Sequence, residues 1–169
     1  PRGAIIYTSG TTGHPRGVMR EPPGPAVAKA QFNMNEEVYG IFADSRTAMV
    51  TPVYHAAPSA FSRFAVENAE FTLLLPKFDA EELLAAIERY RLTTLCLVPA
   101  IFVRLLKLPP EVRAKYDVSS LCRVTHTASP CPPEVKRALI EWFGPVVYEF
   151  YGGTESGIAV YCSSEEWLA

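Results

Sequence analysis

The stretch 7-YTSGTTGHPRG-17 concentrates groups that can bind an anion. It combines Ser and Thr hydroxyls, glycines and one arginine, at Thr8, Ser9, Gly10, Thr11, Thr12, Gly13, Arg16 and Gly17. Glycines let a backbone approach an anion closely, successive N–H groups converge on its oxygens, and hydroxyls donate further hydrogen bonds. The arginine adds a bidentate cation. The stretch predicts a phosphate-binding loop, with a flexible hydroxyl-rich connector as the alternative.

This loop does not match either of the commonest nucleotide-binding patterns. It lacks the G-x-x-x-x-G-K-[ST] pattern, and it also lacks G-x-G-x-x-G. The sequence therefore disfavours a kinase and a dinucleotide-dependent dehydrogenase.

Short apolar runs alternate with helical patterns along the chain, which is typical of an α/β fold with a mainly parallel sheet and helices on both faces. The apolar runs predict strands at 3–7, 47–52, 71–75, 94–98, 123–127, 146–151 and 158–162. The helical patterns cover 26–42, 59–69, 79–91, 99–107 and 132–144. Asp79 is the expected N-cap of one helix, and Gly144 is the expected end of another.

Ligands of parallel sheets gather at the carboxyl ends of the strands, so polar segments should follow strands directly. Four segments do so: 8–13 follows the first predicted strand, His55 the second, 126-HTASP-130 the fifth and 152-GGTES-156 the sixth. The sequence therefore predicts a binding site at one edge of a single α/β domain covering residues 1–169.

Composition limits the partners of this domain. Hydrophobic residues make up 49% and charged residues 20%, with a formal net charge of −2, so there is no electrostatic attraction to nucleic acid or anionic lipid. Apolar runs such as 95–103 are shorter than the roughly 20 residues of a membrane span. The four cysteines form no C-x-x-C pair, which favours reduced thiols in the core or near the surface. We expect a cytoplasmic protein with small-molecule partners, no nucleic acid and no transmembrane segment.

Two segments in this order resemble the signatures of the adenylate-forming (AMP-binding) superfamily. The first loop is similar to T-S-G-T-T-G-x-P-[KR]-G, and 151-YGGTES-156 is similar to Y-G-x-T-E. The segment 52-PVYHAAPSAF-61 resembles the family's P-x-x-H segment, and 126-HTASPCPPEV-135 resembles its small-residue loop beside the adenine. The resemblance covers nearly the whole chain. Over 125–156 it is closer to the fatty acyl-CoA synthetase (long-chain fatty-acid–CoA ligase) branch than to peptide-synthetase domains.

The resemblance implies a role for each matching residue. It places the β- and γ-phosphates of ATP in the first loop, at Thr8, Ser9, Gly10, Thr11, Thr12, Gly13 and Arg16. It places the adenine and α-phosphate beside Thr127, Ala128, Ser129, Tyr151, Gly152 and Thr154. Glu155 would hold Mg²⁺ and His55 would line the acyl side. Thr154, Glu155 and Arg16 are the expected catalytic residues, and coenzyme A is the expected co-substrate.

Two positions depart from the family pattern. Arg16 stands where lysine is usual, which keeps the charge and adds a bidentate fork. Thr127 stands where glycine is usual, and its branched side chain could narrow the adenine or acyl pocket. His14 and His126 are interpreted as loop residues, and Tyr151 has the alternative interpretation of the last packed residue of its strand. Glu155 has that of a solvated loop carboxylate, and His55 that of a hydrogen-bonded structural histidine.

The resemblance implies an ATP-dependent acid–thiol ligase, most plausibly acting on fatty acids. It also implies that the chain is the flavodoxin-like part of a larger domain. The rest of that domain and the C-terminal lid with its catalytic lysine would then lie outside the chain, and the chain alone should not turn over. An aromatic carboxylate–CoA ligase is the alternative enzyme. A non-catalytic nucleotide-binding or interaction module is the alternative of another class.

Overall fold

Strands and helices alternate through most of the chain, in a computed structural model that describes residues 5–8, 13–14, 16–19 and 21–169. The strands are β1 Ile5–Thr8, β2 Arg16–Met19, β3 Arg46–Met49, β4 Phe71–Leu74, β5 Thr94–Leu97, β6 Arg123–His126, β7 Val147–Gly153 and β8 Gly157–Cys162. The helices are α1 Pro25–Tyr39, α2 Ala56–Asn68, α3 Ala80–Tyr90, α4 Pro99–Leu106, α5 Pro110–Arg113, α6 Pro133–Phe143 and α7 Ser164–Leu168. The short helices α5 and α7 and the strand β2 were not predicted.

The main sheet has six strands in the order β4-β3-β5-β6-β7-β8. Every neighbouring pair from β4 to β7 is parallel, and β8 joins β7 as an antiparallel hairpin. Crossover helices connect the parallel strands, as βαβ units require. The predicted α/β class with a mainly parallel sheet is confirmed.

The first predicted strand lies outside this sheet, contrary to its expected place in the series of parallel strands. β1 pairs only with β2, in a separate two-stranded antiparallel sheet that sets Thr8 opposite Arg16. The apolar run at the start of the chain is compatible with either arrangement, because strand partners are not encoded in a local pattern. The first loop is therefore the connection of a β-hairpin.

Helices cover both faces of the main sheet, and alternate strand residues point to each face. On β5, Leu95 and Leu97 belong to a large apolar core with α3, α4 and α6. Cys96 between them belongs to a smaller core with α1 and α2. The sheet is therefore buried on both sides, which accounts for the nearly continuous apolar character of its central strands.

Threonine side chains attach the end of α1 to the sheet. Thr94 donates its hydroxyl to the Gly40 carbonyl at 2.8 Å, and Thr125 donates to the Val38 carbonyl at 2.8 Å. Both threonines are buried, so each hydroxyl needs such a partner. These bonds fix α1 against β5 and β6.

The two helix ends predicted from Asp79 and Gly144 are confirmed, whereas α1 ends at Tyr39 and not at 42, and α2 begins at Ala56 and not at 59. The Asp79 carboxylate accepts hydrogen bonds from the backbone N–H groups of Glu81 and Glu82, both at 3.0 Å, and α6 ends at Gly144. The buried stripe of α6 contains one unexpected member, because Lys136 lies on it beside Leu139, Ile140 and Phe143.

The four cysteines are free thiols, in agreement with the prediction. Cys96 is buried, and burial raises its pKa to about 12. Among the described residues, no helix combines the length and the apolar character needed to cross a membrane.

Candidate nucleotide site

Two of the predicted segments leave the main sheet side by side. β6 and β7 are parallel neighbours, with His126 opposite Glu149 in the register. Thr127 follows β6 directly, and Tyr151 lies two residues beyond Glu149 on β7. Since neighbouring strands are about 4.8 Å apart, the structure brings the 127–130 loop and the Y-G-G-T-E segment to the same edge.

The loop after β6 has a buried start and an exposed tip. Thr127 is 7% exposed, whereas Ala128 and Ser129 are exposed. Ala128 has φ of 80°, in the left-handed region that disfavours residues with a Cβ. By the family resemblance, Thr127 stands where glycine is usual. The backbone conformation that favours glycine, however, occurs at Ala128.

The Y-G-G-T-E segment forms a β-hairpin and not a loop after a finished strand. β7 continues through Gly153, the turn covers 154–156, and β8 begins at Gly157. The register shifts between Tyr151 and Gly152, and a Cβ on Gly152 would overlap the Gly157 carbonyl oxygen. Gly152 is therefore required by the close approach of the two strands, whatever else it binds.

The side chains of this hairpin are available to a ligand. Tyr151 is 74% exposed, so its interpretation as a packed last residue of the strand is wrong. The Ser156 hydroxyl accepts from the Gly153 N–H at 3.2 Å and donates to the Gly157 carbonyl at 3.3 Å, which holds the turn that carries Glu155. Thr154 is half-buried and Glu155 is exposed.

The turn that carries Glu155 suits a hard cation whose other oxygen donors come from a bound substrate and from water. Mg²⁺ is usually bound by one or two carboxylates together with substrate phosphates and water. The exposed Glu155 carboxylate offers one such oxygen donor. The described part of the chain contains no group of three His, Cys, Asp or Glu side chains placed to hold a metal without such help.

The first loop is described only at its ends. Thr8 ends β1 and donates its hydroxyl to the Arg16 carbonyl at 3.4 Å, and the Arg16 side chain is exposed. Gly13 has φ of 105°, and His14 is exposed next to it, as predicted for a loop residue. The predicted phosphate ligands Ser9, Gly10, Thr11 and Thr12 lie outside the described residues.

His55 lies apart from the β6–β7 pair. It is the exposed N-cap of α2, with its ring 4.5 Å from that of Tyr54. It follows β3, which is two strands from β6 in the sheet order. β5 therefore separates the strand before His55 from the β6–β7 pair, and the predicted acyl-side role of His55 stays a prediction.

A buried charge cluster beneath this edge was not predicted. Lys136 is fully buried, and its ammonium donates to the Glu149 carboxylate at 2.8 Å. His126 is also fully buried on β6, with Nε2 at 3.7 Å from the same carboxylate oxygen. The interpretation of His126 as a loop residue is therefore wrong. The missed signal is the spacing of Lys136 with Leu139, Ile140 and Phe143, which places the lysine on the buried stripe.

Burial dominates the electrostatics of His126. It lowers the pKa of the imidazole to about 4; the Glu149 carboxylate acts in the opposite direction and the Lys136 ammonium in the same direction. Neither imidazole nitrogen has a hydrogen-bond partner among the described residues, and the ring packs edge-on against Phe102. His126 is therefore neutral at physiological pH, and Lys136 is the cation paired with Glu149.

Comparison with known proteins assigns the family. The sequence model of the AMP-binding enzyme family matches residues 4–168. The chain is 35% identical to probable CoA ligase CCL5 of Humulus lupulus, over 95% of this chain and 30% of that protein. It is 33% identical to the medium/long-chain-fatty-acid–CoA ligase FadD8 of Mycobacterium tuberculosis, over 92% of this chain and 26% of that protein. It is 32% identical to the 4-coumarate–CoA ligase of Pinus taeda, over 91% and 29%.

Solved structures agree on the fold. The ATP-bound structure of MatB from Rhodopseudomonas palustris matches with a TM-score of 0.76 at 24% identity, over 95% of this chain and 31% of that one. The chain thus spans less than a third of the length of these relatives. Because the family model matches nearly the whole chain, the chain belongs to the AMP-binding enzyme family.

Proposed function

We propose that this chain is the ATP-binding part of a longer AMP-forming acid–thiol ligase that activates a fatty acid and transfers it to coenzyme A. The observation that carries the proposal is the placement of the 127–129 loop and the Tyr151–Glu155 hairpin on neighbouring strands at one edge of the sheet. The relatives named as CoA ligases support the reaction class.

The reaction needs electrostatic help at its first step. A carboxylate oxygen attacks the α-phosphorus of ATP, forming the acyl–phosphate bond as pyrophosphate leaves. Two unit charges about 4 Å apart repel by roughly 4 kcal/mol at an effective dielectric constant of about 20. Hydroxyl and backbone donors and the guanidinium of Arg16 would offset this repulsion and stabilise the departing pyrophosphate. The thiol of coenzyme A then attacks the acyl carbon and AMP leaves.

In this proposal, different residues of the Tyr151–Glu155 hairpin contact different parts of the nucleotide. The exposed Tyr151 ring packs against the adenine, and Thr154 donates to the α-phosphate. Glu155 would hold Mg²⁺, which when bound neutralises phosphate charge during the transfer. Thr8, Gly13 and Arg16 bind the β- and γ-phosphates from the β1–β2 hairpin.

The fatty-acid assignment has one enzymatic competitor. The pine relative acts on 4-coumarate by its name and is nearly as similar to this chain as the mycobacterial fatty-acid ligase. An aromatic acid is therefore the second candidate substrate. Parallel assays with a fatty acid and with 4-coumarate separate the two, since the preferred acid has the higher kcat/KM.

A non-catalytic nucleotide-binding module is the competitor of another class. The chemically important side chains Arg16, Thr154 and Glu155 are all present, which counts against such a degenerate member. In the proposed ligase the remaining parts lie in the rest of a longer protein, so the 169-residue chain should release no AMP by itself. Magnesium-dependent AMP release by the isolated chain would contradict the proposal that catalysis needs the rest of the longer protein.

The function is tested by Glu155→Gln in the full-length protein that contains this chain. Loss of the carboxylate charge should lower acid-dependent exchange of pyrophosphate into ATP by about 100-fold or more, because metal binding and transition-state stabilisation weaken together. Glu141→Gln, at an exposed position on α6, is the matched control and should exchange at the wild-type rate. Wild-type exchange by Glu155→Gln at saturating magnesium would refute the metal role, and no exchange by the wild type with any acid would refute the function.

A further inference from the structure

Lys136 lies in surroundings that are unusual for a lysine. It is on the inner stripe of α6 and fully buried, whereas lysines almost always keep their ammonium in water. The ammonium lies 2.8 Å from the Glu149 carboxylate and 4.8 Å from the centre of the Trp167 ring. Placing a charge in the core costs several kcal/mol of desolvation, so the pairing with Glu149 is needed to keep this lysine there.

The partner of Lys136 belongs to the strand of the nucleotide site. Glu149 and Tyr151 are two residues apart on β7, and the register shift comes only after Tyr151. Because side chains alternate along a strand, both project from the α6 face of the sheet. A bond that holds Glu149 in place therefore also holds the end of β7, which carries Tyr151 and Gly152.

The last helix of the chain closes the cluster from outside. Trp167 on α7 lies against Lys136 and also 5.1 Å from the Arg137 guanidinium. α7 is attached to β7 by the buried Ser164, whose hydroxyl donates to the Val147 carbonyl at 2.7 Å and accepts from the Val147 N–H at 3.1 Å. Lys136, on α6, is thus covered by α7, and both of these helices contact β7.

We propose that Lys136 is a positioning residue for ATP: its buried ammonium bonds to the half-buried Glu149 carboxylate and holds the end of β7 in the geometry that receives the nucleotide, and His126 is the reserve cation for the same carboxylate oxygen. This inference rests on the proposed function and deepens it. Lys136 does not contact the nucleotide and acts through Glu149.

The reserve role of His126 follows from the charges around it. His126 faces Glu149 on β7, Lys136 on α6 and the aromatic ring of Phe102 on α4. Cys131 lies close by in the loop; burial and Glu149 raise its pKa to about 11, so it adds no charge at neutral pH. Glu134 also raises the pKa of Cys131, and Arg137 faces Trp167. Removing the Lys136 ammonium leaves an unpaired carboxylate, which raises the pKa of His126 from about 4.

The test is steady-state kinetics of the full-length protein with ATP and acid varied separately. Lys136→Met should raise the KM for ATP about tenfold at pH 8 and leave the KM for the acid within about twofold, because the strand end that receives ATP is no longer held by the charge-assisted bond to Glu149. The excess in ATP KM over wild type should shrink as the pH is lowered, because His126 takes up a proton and replaces the lysine. Lys136→Arg should retain most of the ATP affinity, and Lys107→Met at an exposed position is the matched control.

A second variant separates positioning from folding. Lys136→Met combined with Glu149→Gln removes both charges, so it should melt closer to the wild-type temperature than Lys136→Met alone. Its ATP KM should stay raised and lose the pH dependence, because no carboxylate remains for His126. Equal changes in both KM values, a pH-independent defect in Lys136→Met, or a normal ATP KM in the double variant would each overturn the proposal. A wild-type protein that does not use ATP would instead overturn the proposed function itself.

Discussion

The β1–β2 hairpin and the β6–β7 edge each carry one half of the candidate site, but they differ in how far their side chains are buried. The hairpin is a two-stranded ribbon whose apolar side chains are largely exposed, with Ile5, Tyr7 and Met19 all more than half accessible. The edge is attached to a core in which His126 and Lys136 are fully buried. The recognisable motif residues occur in both regions, but among the residues that the structure describes, the buried contacts lie at the β6–β7 edge. Chemistry is therefore easier to recognise in this chain than the packing that positions it.

Gly152→Ala should have the largest effect on stability, because it disrupts the packing of the β6–β7 edge directly. The new Cβ would overlap the Gly157 carbonyl oxygen, and backbone cannot move as a side chain does. We expect a loss of more than about 3 kcal/mol in unfolding free energy, or a fall of roughly 6–12 °C in melting temperature. Gly153→Ala is the matched control, since its Cβ would make only ordinary contacts. Equal melting temperatures for the two variants would contradict the close approach at Gly152.

Acid should weaken the packed half next most strongly, through His126. The folded protein keeps this imidazole neutral with a pKa of about 4, whereas in the unfolded chain it takes up a proton below pH 6.5. Its contribution to stability is therefore complete above pH 6.5 and falls by about 2–3 kcal/mol as the pH drops to 4. Denaturant unfolding of the wild type and His126→Gln at several pH values measures the difference. If the two lose stability in parallel, His126 is not the group responsible.

Arg16→Ala tests the exposed half, where we expect function to change and stability to remain. Loss of a charge-assisted phosphate contact of roughly 1.5–3 kcal/mol should raise the KM for ATP or lower kcat in the full-length protein. Arg16→Lys should recover much of the loss, because it restores the charge without the fork. Arg63→Ala, also exposed, serves as control. An Arg16→Ala protein with a lower melting temperature and equal defects for ATP and acid would mean that the arginine stabilises its loop.

Ala128→Gly should have the smallest effect and the opposite sign. It relieves the left-handed backbone conformation at φ of 80°, which we expect to stabilise the protein by up to about 1 kcal/mol after the entropy loss of glycine is subtracted. A rise of roughly 2–4 °C in melting temperature is the measurement. Ser129→Gly, one residue further, should not stabilise. A destabilised Ala128→Gly would show that the alanine methyl group makes a contact worth more than the strain.

The parallel sheet and the helix ends were predictable because their signals are local. Asp79 and Gly144 act within one turn of their own helices, and the central strands are apolar runs. Strand partners are not local, so the separation of β1 from the main sheet could not be predicted. The pairing of Lys136 is similar, since its partner Glu149 is 13 residues away on another element. The continuation of β7 through Gly153 into a hairpin with β8 was not predicted, because apolar character alone does not say where a strand turns into a hairpin.

The order of the strands also has a consequence for how the chain folds. β3 pairs with β5 across the whole length of β4 and α3, and the Thr47 hydroxyl bonds to the Thr94 carbonyl over a separation of 47 residues. By contrast, β7 and β8 are joined by a three-residue turn. Closing a long loop costs more entropy than closing a short one, and local pairings form within microseconds. We therefore expect the hairpin that carries the Y-G-G-T-E segment to form early, and the centre of the parallel sheet to set the folding rate.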